Sequence, residues 1–259
     1  MLFGCCIKNV EDVARVRDAG YDYFEFSAAA LAAMSAAEFE ALVQASEAAR
    51  LPCLGLNSFS SGTPALIGHA FSLEELGDYL LALCRRAGRL GVKTLGIGAP
   101  KARILPEDYP RAVANTQMRE FLVLASLIAE HQGIRLVLEA LHDRSCNYLN
   151  TVEEALIYLK AARLDDVGLV LDFYHMEVMG EGLDRIALAA PRLLHTHIST
   201  CGPALERSFP LMDELEKYRA ILTALREAGY DGTLSVEPNA YEPEKAPETL
   251  RMLRLAAAG

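Results

Sequence analysis

The chain has 259 residues, 52% hydrophobic and 23% charged, with 35 acidic against 25 basic side chains and a net charge of −10. That apolar content offsets the cost of ordering a chain, which excludes wholesale disorder, and the length suits one large domain or two small ones. The acidic balance argues against a nucleic-acid binder with a basic footprint and against a protein held on anionic membranes.

No apolar run reaches the roughly 18 residues of a membrane span, and the N-terminal stretch MLFGCCIKNVEDV lacks the basic-then-apolar pattern of a signal peptide. Cys5, Cys6, Cys53, Cys84, Cys146 and Cys201 form no CxxC pair. They read as reduced thiols of a cytoplasmic protein.

Short apolar stretches alternate with amphipathic ones from the first residues onward. The strand Leu2–Ile7 precedes a helical stretch at Val10–Ala19, and the strand Tyr21–Ser27 precedes one at Ala36–Arg50. Ala28–Ala37 between them is Ala-rich and reads as close helix or loop packing. The strand Pro52–Asn57 then leads to Leu73–Leu90, Thr94–Gly98 to Arg111–Gln132, and Arg135–Ala140 to Val152–Ala162. Val167–Asp172 leads to Leu183–Ala190, Leu193–Ile198 to Met212–Ala228, and Thr233–Glu237 to Pro247–Ala257. Ser35 with Glu38, Ser72 with Glu75, and Thr151 with Glu154 have the spacing of capping boxes at three helix starts. Gly20, Gly91, Gly133 and Gly229 fall where helices should stop before the next strand.

Eight such units of about 32 residues predict one closed (β/α)8 TIM barrel over residues 1–259, an α/β fold, rather than two domains. A dinucleotide-binding sheet is the main rival. It needs a G-x-G-x-x-G loop after the first strand, and none is present there.

In such a barrel the chemistry sits at the C-terminal ends of the strands. Four consecutive strands close on polar groups: the fifth on Glu139, the sixth on Asp172, the seventh on a histidine and the eighth on Glu237. His195 and His197 share one face of the seventh strand, so depth in the barrel decides between them. Adjacent strands are roughly 4.8 Å apart, so the four side chains can converge on one ion. Three carboxylates and an imidazole suit Mn²⁺, Mg²⁺, Co²⁺ or a catalytic Zn²⁺. Asn57, at the end of the third strand, is placed to meet a substrate hydroxyl, and Arg103 and Arg207 are candidates for an anionic substrate group. The Gly-, Ser- and Pro-rich stretches Ser58–Phe71 and Ser199–Leu211 have the composition of lids over the mouth. Glu25, ending the second strand, lines the mouth or serves the structure.

The motifs LVLEAL around Glu139, NYLNTVEEAL from Asn147, VGLVLDFYHM with Asp172 and His175, HTHIS with His197, and LSVEP with Glu237 occur in this order. GAPKARILPE, with Arg103 and Pro106, lies ahead of them. Through these motifs the chain resembles the xylose isomerase-like TIM barrels, the sugar phosphate isomerase/epimerase and AP endonuclease family 2-like superfamily. The resemblance implies that Glu139, Asp172, His197 and Glu237 hold one divalent metal ion. It also implies that Glu139 and Glu237 act as catalytic acid and base on either side of a metal-stabilised enediolate, and that His175 binds substrate. The implied enzyme is a metal-dependent isomerase or epimerase of sugars, sugar acids or sugar phosphates, acting on a small carbohydrate and assembled as a dimer or tetramer. The alternatives are an inosose dehydratase-like lyase on a cyclic polyol, or a metal-binding barrel without catalysis.

The chain departs from the family pattern in three places. Ser145 stands where a second glutamate often follows the first. His142 and Asp143 replace the Asn-Arg pair of ketose 3-epimerases. Pro203 stands where those enzymes place an arginine, leaving Arg207 as the nearest. The strand ends also lack the extra ligands that a three-metal endonuclease requires.

Overall fold

In the computed structural model, which describes residues 1–258, eight parallel strands close into a barrel with each strand paired to the next and the last to the first. The strands are β1 (Leu2–Ile7), β2 (Tyr23–Ser27), β3 (Cys53–Asn57), β4 (Thr94–Ile97), β5 (Arg135–Glu139), β6 (Gly168–Asp172), β7 (Leu193–Ile198) and β8 (Thr233–Val236). Around them run α1 (Asp12–Ala19), α2 (Ala28–Ala33), α3 (Ala36–Ala49), α4 (Leu73–Leu90) and α5 (Arg111–Glu130). The outer layer is completed by α6 (Val152–Ala161), α7 (Phe173–Met179), α8 (Asp184–Ala189), α9 (Leu215–Glu227) and α10 (Ala246–Ala258).

The helical layer follows from the apolar stripes in the sequence. In α4, Leu76, Leu80, Leu83, Ala87 and Leu90 recur at helical spacing and are buried. In α5 the same face is Ala114, Met118, Phe121, Leu122, Ala125 and Ala129. Each fully buried leucine contributes roughly 1.5–3 kcal/mol relative to exposure. Gly20 and Gly91 end α1 and α4 in the left-handed conformation, with φ of 92° and 79°, and turn the chain into the next strand. Of the three expected capping boxes only Ser35 with Glu38 closes in both directions. Ser72 and Thr151 cap their helices, but the Glu154 carboxylate is drawn instead to the backbone N–H of Asn150.

The Ala-rich stretch, read as helix or loop packing, resolves as α2, and α7 was not among the expected elements. α2 is a six-residue alanine turn capped by the Ser27 side chain, and α7 starts directly at Asp172, whose carboxylate caps it. Both are too short to display an amphipathic period.

Inside the barrel, small residues make room for large polar ones. A side chain at Gly4 would run into the Tyr23 ring, and Tyr23 bonds across the lumen to Ser235 Oγ at 2.9 Å. Gly55 likewise leaves space for Glu25, and Gly98, just past β4, for Glu139. The lumen therefore holds buried polar groups, Asp172 and His197 with Glu25 and His195 beneath them.

Candidate metal centre and active site

Glu139, Asp172 and His197 are the inward residues at or near the ends of β5, β6 and β7, and Glu237 follows β8. Strand register sets Asp172 beside His197. The structure brings all four together: one donor atom from each lies within 4.8 Å of the others. His197 Nδ1 is 3.7 Å from Glu139 Oε1 and 3.5 Å from Glu237 Oε2. All three atoms are buried; Glu139 Oε1 and His197 Nδ1 have no hydrogen-bond partner, and Glu237 Oε2 has only the Arg207 guanidinium as an ion-pair partner. A buried polar atom left unsatisfied costs about 1–3 kcal/mol, and here two converge with the Asp172 and Glu237 carboxylates beside them. Such a hard, oxygen-rich donor set fits a divalent cation.

Depth separates the two histidines. His195 lies one layer below His197, with Nδ1 2.7 Å from Thr233 Oγ1 and Nε2 2.8 Å from Glu25 Oε2. It faces the lower lumen, so His197 is the histidine at the convergence point.

Arg207 comes from the loop after β7. Its Nη2 donates to Asp172 Oδ2 at 2.7 Å and lies 2.6 Å from Glu237 Oε2. Its Nε donates to Ser199 Oγ and to the Glu237 carbonyl, and its guanidinium stacks on the Tyr174 ring at 4.5 Å. Asn57 Nδ2 donates to Glu237 Oε1 at 2.6 Å, which leaves the other oxygen of that carboxylate turned to the donor cluster. His175 Nδ1 accepts the backbone N–H of His142 at 3.1 Å. Its Nε2 therefore carries the ring proton and faces Asp172 at 3.7 Å and Glu139 at 4.0 Å.

The electrostatics follow from burial set against these neighbours. Burial pushes Glu237 up to about 7, against the pull of Arg207 and His197. Asp172 is also desolvated, yet Arg207, His175 and His197 outweigh burial and hold it well below the usual carboxylate range. Burial lowers His175 to about 4, against Asp172 and Glu139, so it is neutral at pH 7. Burial opposes the charge on His197 as well, but Glu25 and Glu237 raise it well above the ordinary histidine value.

Glu139 and Glu237 of the cluster line a 510 Å³ cavity at the C-terminal mouth, together with Asn57, His142, Tyr174, His175 and Arg207. Arg103 is not brought there. It is fully buried, and Nη2 donates to the Glu139 carbonyl at 2.7 Å, so it ties the end of β5 to the loop after β4 instead of reaching a ligand. Of the two expected lids, the stretch after β7 delivers Leu205 and Arg207 to the cavity, while the one after β3 buries Phe59, Leu66 and Ile67 in the core. His142, named in the sequence only as a departure from the family pattern, and Tyr174 and Gly98 carry no site role in the sequence pattern. The available signal for Gly98 was a small residue closing β4 next to the acid-ended β5.

The chain is similar to known proteins. Over 191 residues the chain is 30% identical to an inosose isomerase of Bacillus velezensis, an alignment spanning 66% of this chain and 62% of that protein. A crystal structure of D-psicose 3-epimerase in the presence of D-fructose superposes with a TM-score of 0.81 at 20% identity, over 100% of both chains. The IOLI protein with a bound zinc atom superposes with a TM-score of 0.71 at 23% identity, over 100% of this chain and 97% of the other. Among the described residues no helix is long and apolar enough to cross a membrane. The family model for the xylose isomerase-like TIM barrel matches residues 13–256, and the chain belongs to that family.

Proposed function

We propose that this protein is a divalent-metal-dependent sugar isomerase or epimerase in which Glu139 and Glu237 move a proton on and off carbon. The observation that carries this reading is the convergence beside His197 of two buried glutamates that line a ligand-sized cavity, Glu139 with an orphaned oxygen and Glu237 with an oxygen held against Arg207. The names of its relatives, inosose isomerase and D-psicose 3-epimerase, support the same class of reaction.

Glu139, Asp172, His197 and Glu237 would hold the ion, and Mn²⁺, Co²⁺, Mg²⁺ and Zn²⁺ are the candidates. When bound, it supplies Lewis acidity toward a substrate carbonyl and an adjacent hydroxyl. One glutamate takes the proton from the carbon next to the carbonyl, and the other returns a proton at the same or the neighbouring carbon. General acid–base catalysis of this kind contributes roughly 10²–10⁴-fold. Asn57 holds Glu237 in place, and the space left by Gly98 lets Glu139 reach the cavity. His175, kept neutral with its Nε2–H toward the site, donates to a substrate oxygen. Arg207 balances Asp172 and Glu237 and offers donors to substrate hydroxyls from its seat on Tyr174.

The test is proton exchange. The metal-loaded protein is incubated in D₂O with free ketopentoses, ketohexoses and inososes, and the products are followed by NMR. Deuterium entering at carbon next to the carbonyl, without loss of water, is the expected result. Release of water with a new enone absorption would replace this reading with a lyase, and no exchange by metal-loaded protein across the panel would overturn it.

A further inference from the structure

Below the metal-type cluster lies a second set of polar groups that the proposed reaction does not use. Glu25 of β2 is 1% exposed, and its ion-pair partners among the described residues are His195 and His197, with no lysine or arginine. Its Oε2 is 2.8 Å from His195 Nε2 and 3.0 Å from His197 Nε2, and Cys6 Sγ approaches the same oxygen at 3.5 Å. The two imidazoles meet edge to face, with centroids 4.7 Å apart and planes at 88°. Beyond His195, Thr233 Oγ1 closes the chain at Nδ1. The niche is built for the carboxylate: a Cβ on Gly55 would come within 3.0 Å of Glu25 Cδ.

A buried carboxylate accepts hydrogen bonds and donates none, so the nitrogens that face it carry the protons. That fixes the proton of His197 on Nε2. A neutral imidazole then presents its lone pair on Nδ1, the atom that faces Glu139 Oε1 and Glu237 Oε2 without a partner. Histidines that bind metals generally donate their other N–H to a carboxylate or carbonyl, which sets both tautomer and ring orientation.

We propose that Glu25 is a positioning residue of the metal centre: it holds the His197 ring so that Nδ1 is aimed at the ion, with Thr233 and His195 fixing Glu25 in turn. The inference rests on the metal-centre reading given above. Cys6, Glu25 and His197 also lie close enough to be considered a metal site of their own. That arrangement would require His197 Nε2 to give up its proton to act as a ligand, and Glu25 Oε2 to part with donors it already holds, so the positioning role fits the geometry better.

The experiment is metal binding by the full chain. Stripped wild-type protein and Glu25→Gln are titrated with Mn²⁺ against a chelating dye, with Co²⁺ absorption as a second readout and thermal unfolding of the metal-free forms alongside. Wild type should bind one ion. Glu25→Gln should bind one ion with a dissociation constant raised roughly 10–100-fold and an altered Co²⁺ spectrum, while the metal-free unfolding temperature moves little. If Glu25→Gln does not fold, Gly55→Ala crowds the same carboxylate and should weaken binding in the same direction. No ion bound to wild type would defeat the metal-centre reading itself. One ion bound equally tightly by wild type and variant would defeat only the role of Glu25. Two ions in wild type, with one lost in the variant, would show a second metal site in place of a positioning residue.

Discussion

Gly98→Ala tests the site at the smallest structural cost. The backbone at Gly98 is not left-handed, so alanine is conformationally acceptable there. The added Cβ, however, would stand 2.2 Å from Glu139 Oε2, 3.4 Å from Glu139 Cδ and 3.8 Å from Leu141 Cδ2. Ordinary contact begins near 3.4 Å, so the carboxylate oxygen must retreat by about 1.2 Å. The clash falls on the far end of a flexible side chain, so folding should lose no more than the ~1–3 kcal/mol of a typical overpacking change. Function is another matter, because a misplacement of about 1 Å in a catalytic group costs on the order of 10²-fold. The expected result is a loss of about 100-fold in kcat/KM for solvent exchange into the best ketose, together with weaker Mn²⁺ binding. Circular dichroism and thermal unfolding should show an intact fold. Exchange within threefold of wild type would refute the placement of Glu139, as would a loss that merely tracks unfolding.

Asn57→Ala removes the donor that holds Glu237; a hydrogen bond to a charged group contributes about 1.5–3 kcal/mol, so kcat/KM should fall roughly 10–100-fold, as steady-state kinetics would show. Arg103→Ala should destabilise the fold by about 2–3 kcal/mol in urea unfolding, because it strips donors from buried carbonyls, while KM changes less than twofold. Acidification should weaken metal binding. Glu237, pushed up to about 7, and the raised His197 keep their protons to higher pH than free groups, and an ion must displace them. The apparent Mn²⁺ affinity should therefore fall as pH drops through about 7, with proton release on binding visible by calorimetry in buffers of different ionisation enthalpy. An affinity flat from pH 8 to pH 6 would contradict this.

Much of the barrel is legible in the sequence because each βα unit carries local signals. An apolar run marks the strand, and in several units a side-chain cap starts the helix or a glycine stops it. The three acids and one histidine at strand ends are legible for the same reason: position at the end of a strand is itself a location in a closed barrel. What the sequence could not display is contact across the lumen. Glu25 and His197 are 172 residues apart and meet only because closure of the ring through β1 and β8 brings β2 and β7 within reach across the lumen. Arg207 reaches Asp172 through a loop whose path has no period to read. Arg103 looked like a ligand group because arginine composition does not reveal whether a guanidinium meets a substrate or a backbone carbonyl. α7 escaped because its start is written in the Asp172 side chain, which the strand-end pattern had already assigned to the metal.

The charges at the mouth explain why a divalent ion in particular suits this floor. Glu139, Asp172 and Glu237 face one another there, and Glu25 lies directly beneath. Arg207 answers one of the four negative charges, and a doubly protonated His197 answers a second. Two remain, which is why burial drives Glu237 toward its neutral form in the metal-free protein. A monovalent cation would at best replace the His197 proton and leave the excess unchanged. A divalent one that takes the place of that proton reduces the excess to a single negative charge. That last charge is neutralised when one glutamate carries a proton, which is the state a general acid needs before it can deliver that proton to carbon. The same balance that favours the ion thus leaves room for one mobile proton on the pair Glu139 and Glu237.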